Sequence, residues 1–126
     1  VDHKKIILEI KKFIRENKNS YYFESLGKNL YFSLLRYVDG VIGNSSSGII
    51  EVPSFNIPTI NIGNRQKGRL QSKNILNADY SKSQILKAIN IIQKSKKFKK
   101  NLSKCKNLYG DGKSSIRIVK ILKNIK

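Results

Sequence analysis

The chain has 126 residues, with 26 Lys and Arg against 8 Asp and Glu, a formal charge of +18 and a pI near 10.2. That length suits one domain with its own core and is short for two independent folds. No apolar run approaches the ~18 residues of a membrane span, the lone Cys105 excludes an internal disulfide, and a single histidine, His3, argues against a His-based metal cluster.

The charge makes nucleic acid or an anionic surface the first suspicion. Composition offers a plainer origin. Lys supplies 21 of the 26 basic residues, and Lys, Ile and Asn together fill 53 positions, while Ala appears twice. A/T-rich coding DNA favours those three residues. The lysines are spread over helix faces, densest over 94–106, and the five Arg are not interleaved with aromatics as a base-stacking surface requires. Val1 to Lys5 is polar and basic, with no secretory signal pattern after it.

In chain order, the spacing of Ile6, Ile7, Ile10, Phe13 and Ile14 predicts an amphipathic helix over 4–18 with a buried stripe. Tyr21-Tyr-Phe23 reads as a short strand. A helix over 29–37 follows Gly27, with Leu30, Ser33, Leu34 and Tyr37 on one face. Residues 38–42 read as a buried strand. Gly43-Asn-Ser-Ser-Ser-Gly-Ile-Ile-Glu51 then forms a loop that opens a helix, limited or kinked by Pro53. Residues 58–62 read as another strand, and 63–69 as a polar loop with three basic residues. A helix over 81–94 carries Ile85, Leu86, Ile89 and Ile92 inward, with Ser81 as N-cap. A weaker helix covers 97–107, Tyr109-Gly-Asp-Gly112 turns, and a last helix starts at Ser114 with Ile116, Val119, Ile121, Leu122 and Ile125.

Alternating helices and strands predict a parallel α/β layer. The chain opens on a helix where such domains open on a strand, so a piece of a larger protein, lacking its first strand, is expected.

The loop at 44–48 is suited to an anion. Amides at a helix start lack intrahelical partners, the helix dipole favours negative charge, Ser hydroxyls add donors, and Gly48 permits close approach. Ordinary capping by Ser explains the same residues. Glu51, one turn on, has the chemistry to accept from two adjacent hydroxyls, as acidic residues do with ribose. A solvated helix residue is its plain alternative. Arg65 and Arg69 follow the next strand, where a guanidinium chelates phosphate well. No nucleophile–base pair is evident, and Glu9 and Asp39 are placed on a helix and beside a strand.

Gly43 to Glu51, then Pro53-Ser-Phe55, Pro58, Asn61-Ile-Gly63, Arg65-Gln66, Gly68-Arg69 and Tyr109-Gly-Asp-Gly112 resemble the signature of UDP-N-acetylglucosamine 2-epimerases. The resemblance runs from about Tyr22 to the end. It favours the hydrolysing branch, because the other branch carries Ser-Gly-Gly in the loop and Thr-Thr-Glu-Arg-Pro in place of Arg65-Gln-Lys-Gly-Arg69.

The resemblance implies a Rossmann-like parallel sheet with flanking helices over 1–126, the C-terminal lobe of a two-domain enzyme of GT-B type. It implies UDP as ligand, with Ser45, Ser46 and Gly48 at the diphosphate, Glu51 at the ribose and Arg65 at the diphosphate or adjoining groups. Glu24, Ser25 and Leu26 align with the stretch that contacts uracil, although Glu24 departs from the basic residue some members carry. The implied reaction eliminates UDP from C1 with loss of the C2 proton. Water then adds to the 2-acetamidoglucal to give N-acetylmannosamine. The catalytic carboxylates and His of that chemistry are expected before Val1, so no catalytic residue, metal or cofactor is expected in this chain. The expected partners are UDP-N-acetylglucosamine, the enzyme's own N-terminal domain and further copies of itself, in the cytoplasm, with no membrane or nucleic acid. Two other readings stand beside this one: a basic nucleic-acid-binding module, and the nucleotide-sugar lobe of a GT-B glycosyltransferase.

Overall fold

The computed structural model describes residues 3–125. It divides into two compact units, Val1–Ser33 and Leu34–Lys126.

In the first unit, α1 spans His3–Glu16. Its straight-chain Lys and Glu favour helix, and Asn17 closes its end by donating from Nδ2 to the Phe13 carbonyl at 2.8 Å. The predicted helix is there, but its stripe is not buried. Ile7 and Ile14 are half-buried, and Ile6, Ile10 and Phe13 are exposed. Periodicity reports a helix face and not what covers it. The strand expected at Tyr21-Tyr-Phe23 is irregular backbone. Aromatic β-propensity is realised only where a neighbouring strand takes the backbone hydrogen bonds, and the described part of this unit contains no strand. The helix α2, Gly27–Leu34, starts and ends earlier than predicted. Gly27 has φ +65°, which glycine alone adopts freely.

The second unit is built on three parallel strands, β1 Val41–Gly43, β2 Thr59–Ile62 and β3 Ile75–Ala78, in the order β1-β2-β3. The register sets Gly43 beside Asn61, and Asn61 beside Asn77, along the carboxyl ends of the strands. Two of these strands match expectation. The third, β3, was not anticipated. The crossover from β2 runs through residues 63–74 with no helix in it, so the alternation that announces a parallel strand is missing there.

Side chains alternate across β2. Ile60 faces α4 (Lys82–Lys94) in a core with Ala78 and Ala88, joined by half-buried Ile62, Leu76, Ile85, Ile89 and Ile92. Leu86, expected inward, is exposed, and Ala88 holds the contact. Ser81 caps α4 as predicted, accepting from the Gln84 amide at 3.3 Å. Thr59 faces the other way, toward α3 (Ser47–Ile50), and Ile49 and Val52 are fully buried. Helices on both faces are the usual cover for parallel strands. The α5 helix, Lys96–Leu102, is shorter than predicted, and α6, Ser114–Lys123, exposes Ile116, Val119, Ile121 and Leu122.

Asn74 is fully buried between these layers. Its Nδ2 donates to the Ile57 carbonyl at 3.0 Å, and its carbonyl accepts from the Thr59 amide at 2.9 Å. Asn74→Ala leaves the Ile57 carbonyl without that donor, which costs roughly 1–3 kcal/mol. The expected result is a lower urea midpoint with an unchanged slope.

Candidate functional site

The site is built at the carboxyl ends of β1 and β2, where open parallel sheets take their ligands. β1 ends at Gly43, and Asn44, Ser45 and Ser46 lead directly into α3. The Ser45 hydroxyl accepts from the Ser47 amide at 3.3 Å, so that side chain does serve as a local cap. Ser46, in the N-cap position, makes no side-chain cap hydrogen bond. Their carbonyls are engaged: Ser45 accepts from Gly48, and Ser46 from Ile49 and Ile50. Their amides donate to no acceptor among the described residues. The donors are therefore individual amides and hydroxyls. A four-residue helix sums few peptide dipoles, so the dipole contribution expected from the sequence is small.

Gly48 has a packing role in addition to any role toward a ligand. A Cβ placed on it would meet Thr59 Cγ2 at 2.7 Å. The Thr59 hydroxyl donates to the Gly48 carbonyl at 2.9 Å. Glycine is needed here so that α3 can lie against β2.

Glu51 is half-buried at the junction of α3 and the 3-10 turn Val52–Phe55. Its amide donates to the Ser47 carbonyl at 2.9 Å, which keeps it one turn from the loop. Arg65 is exposed in the turn after β2. Neither the Glu51 carboxylate nor the Arg65 guanidinium makes a hydrogen bond or ion pair with a described residue.

The residue that joins the two loops is Gln66. It is 3 % exposed, and its Nε2 donates to the Asn44 carbonyl at 2.8 Å. Its Oε1 is buried with no partner among the described residues. Gln66 thus fixes the turn that carries Arg65 against the turn that carries Ser45 and Ser46. A glutamine between two basic residues reads as a solvated loop residue, and no signal in the sequence announces its burial.

A second brace comes from residues 107–112. Asn107 Nδ2 donates to the Ile50 carbonyl at 2.8 Å and to the Ser54 hydroxyl at 2.6 Å, and the Tyr109 hydroxyl donates to the Leu70 carbonyl at 3.0 Å. Asp111 is held below the usual carboxylate range, chiefly by the Arg117 guanidinium and then by the Lys113 amide. That pair ties the turn to the first residues of α6.

Ser45, Ser46, Gly48, Glu51 and Arg65 all lie in the second unit. Glu24, Ser25 and Leu26 belong to the first, in the irregular stretch before Gly27, where the Ser25 hydroxyl accepts from the Gly27 amide at 3.2 Å. No group of three or more His, Cys, Asp or Glu side chains suited to a metal occurs among the described residues. No described helix is long and apolar enough to cross a membrane.

Comparison with known proteins bears on the same residues. A family model described as UDP-N-acetylglucosamine 2-epimerase matches residues 2–123. The chain belongs to the UDP-N-acetylglucosamine 2-epimerase family. It is 39% identical over 116 residues to a polysialic acid biosynthesis protein P7 of Escherichia coli, covering 92% of this chain and 29% of that protein. Over 57 residues it is 53% identical to a GDP/UDP-N,N'-diacetylbacillosamine 2-epimerase (hydrolyzing) of Campylobacter jejuni, 45% of this chain and 15% of the relative. A UDP-N,N'-diacetylbacillosamine 2-epimerase (hydrolyzing) of Legionella pneumophila is 39% identical over 95 residues, 75% of this chain and 24% of the relative. The chain spans less than a third of the length of each of these curated relatives. The α/β layer with a parallel sheet, expected from the sequence, agrees with this membership.

The contact between Gly48 and Thr59 gives a test of the site's framework. Gly48→Ala forces a methyl against Thr59 Cγ2 and is expected to cost roughly 1–3 kcal/mol. Thr59→Ser removes the opposing methyl and keeps the hydroxyl bond. The double variant is expected to recover most of the loss in chemical denaturation, a positive coupling of neighbouring sites.

Proposed function

We propose that this chain is the UDP-holding part of a hydrolysing UDP-N-acetylglucosamine 2-epimerase. The observation that carries the reading is the pairing of two loops. The free amides of Ser45 and Ser46 and the Ser46 hydroxyl lie on one. The unpaired guanidinium of Arg65 lies on the other, and Gln66 binds the two loops together. Anion recognition needs this arrangement: several uncommitted donors, one of them a guanidinium, set on a fixed frame. Family membership and two relatives whose names carry the word hydrolyzing support the same branch.

In this reading Ser45, Ser46 and Arg65 hold the diphosphate, and Gly48 brings the backbone of α3 close to it. Glu51 accepts from the ribose hydroxyls with a carboxylate that no other described residue occupies. The family resemblance assigns Glu24, Ser25 and Leu26 to the uracil, mainly through backbone groups. The diphosphate is the leaving group when the C1–O bond breaks and the C2 proton is lost. Donors that bind it more tightly as charge develops lower that barrier. Water then adds to the 2-acetamidoglucal, giving N-acetylmannosamine and free UDP. The groups that move protons at C2 belong to the lobe that faces this one across the cleft.

Calorimetric titration of the full-length enzyme with UDP tests the reading. Ser45→Ala, Ser46→Ala and Arg65→Ala each remove a donor to a charged oxygen, and each is expected to weaken UDP by roughly 1.5–3 kcal/mol. Unchanged affinity in all three would remove these residues from the site. A steeply salt-dependent affinity for duplex DNA, with no UDP binding, would favour the nucleic-acid reading instead. The 126-residue chain alone is expected to produce no N-acetylmannosamine from UDP-N-acetylglucosamine, measured by product chromatography.

A further inference from the structure

Gln66 uses the two ends of its carboxamide unequally. Its Nε2 donates to the Asn44 carbonyl at 2.8 Å, while its Oε1 is buried with no partner among the described residues. Chemistry dictates this orientation. Turned over, the carboxamide would set its oxygen against the Asn44 carbonyl, acceptor against acceptor. A buried acceptor left unpaired is costly. A methionine of similar shape avoids that cost, so what glutamine supplies at 66 is the one donor.

The consequence of that donor follows from the peptide it holds. The described chain has no cis peptide bond. The Asn44 carbonyl and the Ser45 N–H therefore point in opposite directions across one rigid plane. Fixing the carbonyl toward Gln66 aims the Ser45 amide away from it. A peptide whose oxygen accepts a hydrogen bond is also polarised, which strengthens its N–H as a donor. The oxygens of Ser45 are engaged: the hydroxyl accepts from the Ser47 amide at 3.3 Å and the carbonyl from the Gly48 amide at 3.3 Å. Its amide donates to no described residue.

The brace is itself held. The Lys67 amide donates to the Asn64 carbonyl at 2.9 Å and the Arg69 amide to the Gln66 carbonyl at 3.3 Å, which closes the backbone turn around Gln66. Within that turn Arg65 is exposed and Gln66 is 3 % exposed. One side chain goes inward as the brace, and its neighbour stays outside with the guanidinium. Asn44 and Ser45 are irregular backbone, so without the brace their shared peptide is free to rotate.

We propose that Gln66 is a positioning residue for the diphosphate of the nucleotide. It touches no ligand atom, and it acts by locking the Asn44–Ser45 peptide so that the Ser45 N–H faces the anion. The proposal rests on the reading of Ser45, Ser46 and Arg65 as the diphosphate site.

The test is calorimetric titration of the full-length enzyme with UDP, in Gln66→Met and Gln66→Glu, from about pH 5 to about pH 9. Each affinity is divided by that of the unsubstituted enzyme at the same pH, so that titration of UDP itself cancels. Met keeps the volume and removes the donor. The expected result is about a tenfold loss at every pH, the size of one hydrogen bond to a charged group. Glu donates to the Asn44 carbonyl only as the acid, the form that burial favours. The segment it faces, 44–47, carries no titratable side chain, and Arg65 and Lys67 flank it in its own turn. Its ratio is expected near one at low pH, falling to the Met level or below as the acid ionises. A ratio near one throughout, with the Met variant weakened, marks an acid that stays protonated and supports the same assignment. Unchanged UDP affinity in Gln66→Met overturns it, and so does a Glu ratio at the Met level at every pH. Where the Met variant does not fold, a Glu ratio that does not vary with pH overturns it. Loss of UDP in Arg65→Ala with none in Gln66→Met leaves the diphosphate reading standing. Failure of the unsubstituted enzyme to bind UDP overturns that reading, and the positioning role falls with it.

Discussion

The contact of α3 with β2 through Gly48 and Thr59 sets the geometry on which the site depends. It does two things at once. The absence of a side chain on Gly48 lets the helix approach, and the Thr59 hydroxyl then engages the Gly48 carbonyl at 2.9 Å. The first turn of α3 is thereby fixed in height over the sheet. Ser45 and Ser46 are the residues immediately before that turn, so their free amides inherit the position. A bulkier residue at 48 would lift the whole loop, and the effect on any anion would come through the backbone and not through a lost contact.

Two further polar ties extend this frame sideways. Gln66 holds the turn after β2 to Asn44, and Asn107 holds the far end of α3 through the Ile50 carbonyl. Tyr109 fastens the same strap to the crossover at Leu70. The crossover lacks a helix of its own, so its shape depends on these side-chain bonds and on the buried Asn74 and Ser72, the latter donating to the Lys106 carbonyl at 2.8 Å. Buried polar networks of this kind specify one arrangement when every member is satisfied. Gln66 Oε1 is the exception among the described residues, buried without a partner at the junction of the two loops.

Much of this was readable from residue order, for reasons that can be named. The loop from Gly43 to Glu51 stands out because small polar residues between a β-branched run and an apolar run mark a strand–loop–helix junction, whether they cap the helix or bind an anion. Ser81 announces α4 by capping chemistry. β3 escaped because a strand of four residues containing Asn77 has little alternation, and no preceding helix flagged it. The aromatic run at 21–23 misled because strand propensity is a statement about fit to a neighbour. The stripe of α1 misled in another way, since the amphipathic pattern was right and the burial was not. Gln66 and Asn61 were present in the matching motifs, but their bonds to Asn44 and Asn77 span 22 and 16 residues of chain, which spacing alone does not reveal.

The charge of +18 takes on a more local meaning once the loops are placed. Between Asp39 and Asp79 the sole acidic residue is Glu51, while Arg65, Lys67, Arg69 and Lys73 lie in the crossover. A carboxylate in such company would ordinarily be drawn into an ion pair, yet Glu51 has none among the described residues. The backbone bond from Glu51 to Ser47 holds it on the α3 side, and Gln66 anchors the basic turn through a neutral group, which leaves Arg65 uncommitted. In the proposed reading, an anion that engages Arg65 has no salt bridge to break. Scattered surface lysines raise the background potential and speed encounter, and in the proposed reading the selective element is this small set of unpaired groups held in place by neutral hydrogen bonds.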